Sequence, residues 1–283
     1  MKKPQVSIIY VNYNTQTLTE ASLHTVVKNI KGFSYEVIVV DNASNKFDTT
    51  TLKKIYPRVK VVKLDKNVGF GGGNNAGAAV AKGEILWLLN TDTVIPKKNN
   101  LEAVVKFLQT HKKYAAATPL ITNKAGRVQP AQIAYLPNGW RIVAEKPVKL
   151  VVKILPFTKG LFGQVNADYL PLQERDVEFA TAASMFVSAK AFNRVGGFSK
   201  EFFMYYEDTD LCKKLIDNKY KIRFMPSAKV VHLLGRSNSS NYKRKKMYFA
   251  SQDKYLEKHK PKATKITIQI LRSPLIFWYW ITK

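Results

Sequence analysis

Short apolar runs alternate with amphipathic stretches through the first 120 residues. Val6–Val11 is a β-branched apolar run and predicts a buried strand. Thr17-Leu18-Thr19-Glu20 has capping-box spacing and predicts a helix reaching about Ile30. Tyr35–Val40, Val59–Leu64, Ile85–Leu89 and Tyr114–Pro119 read as four further strands, with a short helix between the first two. Ala76–Ala81 and Leu101–Gln109 read as helices between the later ones. Such alternation predicts an α/β fold, a mostly parallel central sheet covered by helices on both faces. Ligands bind such sheets at the carboxyl ends of the strands. Asn12, Tyr13, Asp41, Asn42 and Asp92 all fall just past strand ends.

Periodicity fades from Ile121 to Arg175, where prolines recur among basic and aromatic residues. The segment reads as a variable, specificity-bearing insertion, not a separate domain. Regular signals return at Glu178–Val187. A helix at Lys190–Val195 follows, ended by Gly196-Gly197, then a helix at Asp208–Asp217 and strands at Lys221–Met225 and Lys229–His232. The expected division is a domain over residues 1–235 and a basic, aromatic tail over 236–283.

The chain has 283 residues, 46 basic and 20 acidic, for a formal net charge of +26. Such a field attracts anionic membrane, nucleic acid or phosphorylated substrates. No nucleic-acid-binding signature is present, so no nucleic-acid partner is expected. Residues 236–283 carry twelve Lys/Arg against Asp253 and Glu257. Ile266–Ile281 is too short and too interrupted, by Arg272, Ser273 and Pro274, to span a bilayer. With Trp278, Tyr279 and Trp280 it reads as an interfacial segment beside a polybasic stretch; packing on the domain is the alternative. The single cysteine, Cys212, excludes a disulfide framework. The N-terminus lacks the pattern of a signal peptide, so a reducing cytoplasm is expected.

Three stretches carry chemistry. Gly71-Gly72-Gly73-Asn74-Asn75-Ala76 fits G-x-G-x-x-A, but after the third strand, not the first. Two readings stay open: backbone amides and asparagines facing a ribose or diphosphate, or glycines for close packing. Asn90-Thr91-Asp92-Thr93 follows a buried strand, where a carboxylate suits Mg2+ or Mn2+ or an Asx turn. Glu207, Asp208 and Asp210 open a helix after an aromatic run, as caps or as a base of raised pKa. His232 follows a short apolar strand.

Taken in order, VSIIYVNYN, VIVVDNAS, NVGFGGGNNAG, LLNTD, YEDTDL and HLLGRS resemble the family 2 glycosyltransferases, and most of all their rhamnosyltransferase-like members. The resemblance implies a GT-A fold, a nucleotide-binding half followed by an acceptor-binding half. It implies a nucleotide-diphosphate sugar donor, with dTDP-rhamnose as the best choice and a UDP-sugar as the alternative. A nucleotidyltransferase or a non-catalytic assembly partner is more distant. Val11, Tyr13 and Asp41 would line the base pocket. Asn67, Gly71 and Asn74 would face the ribose and diphosphate, with Asn90 and Thr91 beside them. Asp92 would hold Mg2+ or Mn2+, with His232 completing the metal shell. Asn90 stands where the family's Asp-x-Asp has its first acid. Asp208 would be the general base of an inverting displacement, supported by Glu207 and Asp210. The implied acceptor is a glycan or polyprenyl-diphosphate-linked hydroxyl, met at the inner face of the cell membrane.

Overall fold

The computed structural model describes residues 3–162, 172–233 and 241–281, the side chains at 146, 159, 160, 241, 242 and 273–281 excepted. The end of the HLLGRS stretch, and the side chains of Trp278, Tyr279 and Trp280, lie outside the described residues.

The chain opens β1 (Val6–Asn12), α1 (Gln16–Asn29), β2 (Tyr35–Asp41), α2 (Thr49–Ile55), β3 (Lys60–Lys63), α3 (Gly69–Val80), β4 (Ile85–Leu89). It continues β5 (Thr93–Val94), α4 (Leu101–Thr110), β6 (Tyr114–Thr122), β7 (Ile133–Ala134), α5 (Gly139–Ile154), and a 3-10 turn over Pro156–Phe162. The remainder is β8 (Arg175–Val177), β9 (Phe179–Ala180), β10 (Ser184–Ser188), α6 (Ala189–Arg194), α7 (Glu207–Asp217), β11 (Lys221–His232), α8 (Asn241–His259) and α9 (Lys262–Ile281).

The main sheet runs β3-β2-β1-β4-β10-β6-β11-β5, with β8 also on β11. The first four strands are parallel, as are β6 and β11. β10 runs antiparallel between β4 and β6. The expected mostly parallel sheet is therefore present. Side-chain alternation divides two apolar layers. Ile85, Trp87 and Leu89 of β4 face α1 and α4, while Leu86 and Leu88 join the layer under α6 and α7. Trp87 stacks on Phe186 at 4.5 Å between ring centroids, and its indole N–H donates to Ser184 Oγ at 3.0 Å.

Four local expectations are corrected. α1 begins at Gln16 with no side-chain cap. Thr15 and Thr19 instead give their hydroxyls to Asn12 Oδ1, and Glu20 accepts from Gln16, so neither member of the capping box serves the helix end. α3 begins at Gly69, not Ala76, so the glycine-rich stretch is helix and not loop. The two strands expected around Pro226 are one strand, β11, with a register shift between Met225 and Lys229. The insertion is not structureless: it carries β7, which pairs with β9, and the sixteen-residue α5.

The glycines of α3 are placed by packing. A Cβ on Gly73 would lie 2.6 Å from Val11 Cγ1, and one on Gly77 would lie 2.5 Å from Ile9 Cγ2. α3 therefore lies directly on β1, a distance that any larger residue would open.

Candidate functional site

The carboxyl ends of β1, β2, β4 and β11 place the candidate residues. Asn12 and Asp41 are register partners at the ends of β1 and β2. Asp41 is buried and accepts from the Ser44 amide at 3.1 Å. Val11 lies against α3, while Tyr13, just past β1, is 47% exposed and free to meet a ligand ring. These three candidates lie at the two adjacent strand ends.

The head of α3 is capped from within. Asn42 Oδ1 accepts from the Val68 amide, Asn67 Oδ1 from Gly69, and the Phe203 carbonyl from Phe70. These three amides are satisfied by the protein itself. Gly71 is buried, and a Cβ there would lie 2.9 Å from Phe198 Cβ. Asn74 is buried with its amide on the Phe70 carbonyl. Asn42, noted in the sequence only for its place past a strand, links the end of β2 to this helix head through both ends of its amide.

β4 delivers the next group. Asn90 donates its backbone N–H to Ala183, and Thr93 returns its hydroxyl to the Asn90 carbonyl. A buried chain of hydroxyls, Tyr10 to Ser22 to Thr93, braces that turn from below, with contacts of 2.9 and 3.0 Å. Thr91 is nearly buried within it. Asp92 Oδ1 lies 2.8 Å from His232 Nε2, which β11 brings from 140 residues away. His232 Nδ1 lies 2.7 Å from Gln129 Oε1, and Asn90 Nδ2 lies 3.3 Å from Nε2. In the tautomer that gives Nδ1–H to Gln129, Nε2 is left to bind a cation. One carboxylate oxygen and one imidazole nitrogen thus face the same point, and they fit a divalent cation whose other ligands come from substrate phosphates. Among the described residues no third acidic, histidine or cysteine side chain joins them. Gln129 was missed because it lies where periodicity fades; it arrives through the turn that pairs Val128 with Thr122.

The acids after the aromatic run form the third group. Tyr205 and Tyr206 both hold left-handed backbone, at φ 66° and 64°. Such strain costs about 1–3 kcal/mol per residue and persists only where the surroundings fix it. Here α8 fixes it: Gln252 donates to Tyr206 Oη at 2.8 Å, and Tyr248 meets the same oxygen at 3.2 Å. α7 then begins at Glu207. Asp208 Oδ1 accepts from the Thr209 amide at 2.8 Å and Oδ2 from the Ala182 amide at 3.4 Å. Burial raises the Asp208 carboxyl above its ordinary value, against these hydrogen bonds. Burial and the neighbouring Asp208 push Glu207 up to about 8. Glu207 Oε2 is buried without a hydrogen-bond partner. Asp208, which accepts from two backbone amides, is better placed to carry the charge than Glu207, whose Oε2 has no donor.

Asp210 behaves in the opposite way. Burial alone would raise it, but His259 at 2.7 Å, Ser199 at 2.6 Å and Lys258 at 3.0 Å hold it well below the usual carboxylate range. It anchors α7 to α8 and does not face the cavity.

That cavity, of about 480 Å3, is lined by Asn90, Thr181, Ala182, Tyr206, Glu207, Asp208 and Tyr248, among others. Asn90 is the link: it lines the cavity with Asp208 and touches the Asp92–His232 pair. Tyr248, from the presumed tail, was missed because nothing local in KKMYFAS distinguishes it from a helix-surface aromatic.

The titration of Glu207 gives a checkable result. Its native pKa exceeds its unfolded one, so the native state holds a proton that the unfolded chain releases. Stability is then highest at low pH within this window and falls as pH rises from about 4.5 to about 8. Glu207→Gln cannot titrate, and its urea midpoint should lose that part of the pH dependence. An unchanged slope would place the titration elsewhere.

The sheet order and these groups define a GT-A fold. GalNAc-T7 solved with UDP, GalNAc and Mn2+ superposes with TM-score 0.61 at 16% identity, covering 90% of this chain and 48% of that one. The Pyrobaculum calidifontis mannosyltransferase solved with GDP-Man and Mn2+ gives 0.59 at 15%, covering 95% and 69%. At such identity the likeness concerns the fold. The glycosyl transferase family 2 model matches residues 7–162, and the chain belongs to that family. A second model, described as the N-terminal domain of galactosyltransferase, matches residues 165–235.

Three curated relatives are similar across most of the chain. A hexosyltransferase of low-salt glycan biosynthesis from Haloferax volcanii is 26% identical over 73% of this chain and 60% of its own length. The N-acetylglucosaminyl-diphospho-decaprenol L-rhamnosyltransferase of Mycobacterium tuberculosis is 26% identical over 69% and 66%. The rhamnosyltransferase WbbL of Escherichia coli K12 is 25% identical over 83% and 86%. The chain thus spans less than two thirds of the length of the first two.

Proposed function

We propose that this chain is an inverting glycosyltransferase that moves a sugar from a nucleotide-diphosphate donor to a hydroxyl of a glycan or polyprenyl-diphosphate-linked acceptor. The observation that carries the reading is Asn90, which lines the Asp208 cavity and touches the Asp92–His232 pair. A base and a cation pair meet at one place although the sequence separates them widely.

Asp208 takes the proton of the acceptor hydroxyl. That oxygen forms the new bond to the anomeric carbon, and the bond to the donor diphosphate breaks, with its electrons leaving on the nucleoside diphosphate. Asp92 and His232 would hold Mg2+ or Mn2+, which supplies Lewis-acid neutralisation of the diphosphate. Val11, Tyr13 and Asp41 bind the base, and Asn67 at the head of α3 borders the ribose, while buried Gly71 and Asn74 hold α3 in place. Asn90 and Thr91 orient the sugar. Protonated Glu207 keeps a second negative charge away from Asp208.

The rhamnosyltransferase names of two relatives favour dTDP-rhamnose as donor. The name of the mycobacterial relative favours a diphospho-polyprenol acceptor, and the proposal sets the meeting with it at the cytoplasmic face of a membrane.

A thermal-shift screen of nucleotide sugars, with Mn2+ and with Mg2+, tests the reading. A binding donor at about a hundred times its Kd stabilises by about 2.7 kcal/mol. The shift should need the metal and should vanish in Asp92→Ala. A donor shift that ignores both would remove the metal from the scheme, and a larger shift with a UDP-sugar would displace rhamnose.

A further inference from the structure

α5 has three faces. Val148 and Val152 are buried against the protein. Lys149 and Lys153 lie on a second, exposed face, Lys149 paired with Glu145 one turn back. The third face is apolar and open to solvent: Trp140, Val143, Leu150, Val151 and Ile154 recur at helical spacing. Ile154 is 68% exposed, and the 3-10 turn continues the patch with Phe157 at 82% and Leu161 at 79%. α9 starts beside α5, since a Cβ on Gly139 would lie 3.0 Å from Thr264 Cγ2. It adds exposed Ile266, Ile270 and Leu271. Its buried Arg272 is fixed to Asp253 of α8 by two hydrogen bonds. Elsewhere on the described surface Phe203 and Met204 are exposed side by side, Met204 lining the Asp208 cavity with Tyr248, and the rest are scattered, whereas a run of such residues on adjoining elements marks a contact surface.

We propose that α5, the 3-10 turn after it and α9 form one face that lies on an anionic lipid bilayer. Charge selects this occupant. The chain carries +26, and lysines flank the stripe, so a second copy would meet like charge while an anionic surface meets opposite charge. Among the described residues no helix is long and apolar enough to cross a membrane. The segments therefore lie in the interface with their apolar sides in the headgroup region. The face also adjoins the site: Pro137 lines the Asp208 cavity, and Trp140, three residues on, begins the stripe. Resting on the proposed transferase reading, this contact sets the cavity mouth beside the surface from which a lipid-linked acceptor would enter.

Vesicle flotation tests the face. The full chain should float with phosphatidylcholine vesicles that contain phosphatidylglycerol, and much less with phosphatidylcholine alone. The Leu150→Glu, Ile154→Glu double variant should bind them at least about tenfold more weakly, while circular dichroism and donor thermal shifts stay at wild-type values. Phe157→Ser, Leu161→Ser, at positions too exposed to support the fold, should act the same way. Wild-type flotation in both variants, or no flotation of the wild type, would overturn the proposal. So would a wild-type dimer by light scattering that these substitutions dissolve. Loss of donor shifts with flotation intact would instead count against the transferase reading alone.

Discussion

Asp208→Asn should lower kcat at least about a hundredfold while donor binding survives, because a positioned base contributes about 10²–10⁴-fold. The substitution keeps the shape of the side chain, and its amide oxygen still accepts from the Thr209 N–H. What it removes is the lone pair that takes the acceptor proton. On the proposed reading donor binding rests on other residues, at the ends of β1, β2 and β4, so the donor thermal shift should stay at its wild-type size. The separation of the two readouts is the diagnostic feature: kcat falls and the donor Kd holds. Turnover within a few-fold of wild type would remove Asp208 as the base.

Gly69→Ala should destabilise the protein by about 3 kcal/mol or more, measured by urea unfolding. Gly69 sits at φ +79°, where an alanine is strained, and a Cβ would lie 2.1 Å from the Phe203 carbonyl oxygen. Neither partner can step aside. The Phe203 carbonyl receives the Phe70 amide, and Phe203 begins the short path to the left-handed Tyr205 and Tyr206. Donor-supported stability should fall with it, because Asn67 and Asn42 hold the same turn. A loss below about 1 kcal/mol would mean that this junction gives more readily than its geometry implies.

Much of this architecture was legible in the sequence for a simple reason. Buried parallel strands such as Ile85–Leu89 must be apolar on both faces, and polar residues immediately after them either tie down the next helix, as Asn12 and Asn42 do, or face the ligand edge of the sheet. That logic singled out Asp41 and Asp92, and the family pattern added Asn90, His232 and Asp208; the structure places Asp41 at a strand end and brings Asn90, Asp92 and His232 together. It failed where the deciding contacts are long-range. The stretch at Gly69–Gly77 reads as a loop by composition because glycine is a poor helix former. It is helical because Val11, Ile9 and Phe198 leave no room for a side chain. Gln129 and Tyr248 carry no local signal at all, since each is defined by a partner about a hundred or forty residues away, His232 and Tyr206 respectively. The antiparallel course of β10 is likewise invisible to periodicity, which records burial and not direction.

The contact between α8 and the acid helix has a temporal side. Asp210 meets His259 across 49 residues of chain, and Tyr206 meets Gln252 across 46. During synthesis, the sheet and both strand-end clusters are already made while the tyrosines ahead of Glu207 still lack what holds them. The first strands and helices can therefore assemble early on the ribosome, whereas the proposed base is set in place only when residue 259 has emerged. On the proposed reading, a chain that lacks α8 would bind donor without being able to use it, and α8 acts as the step that commissions the enzyme.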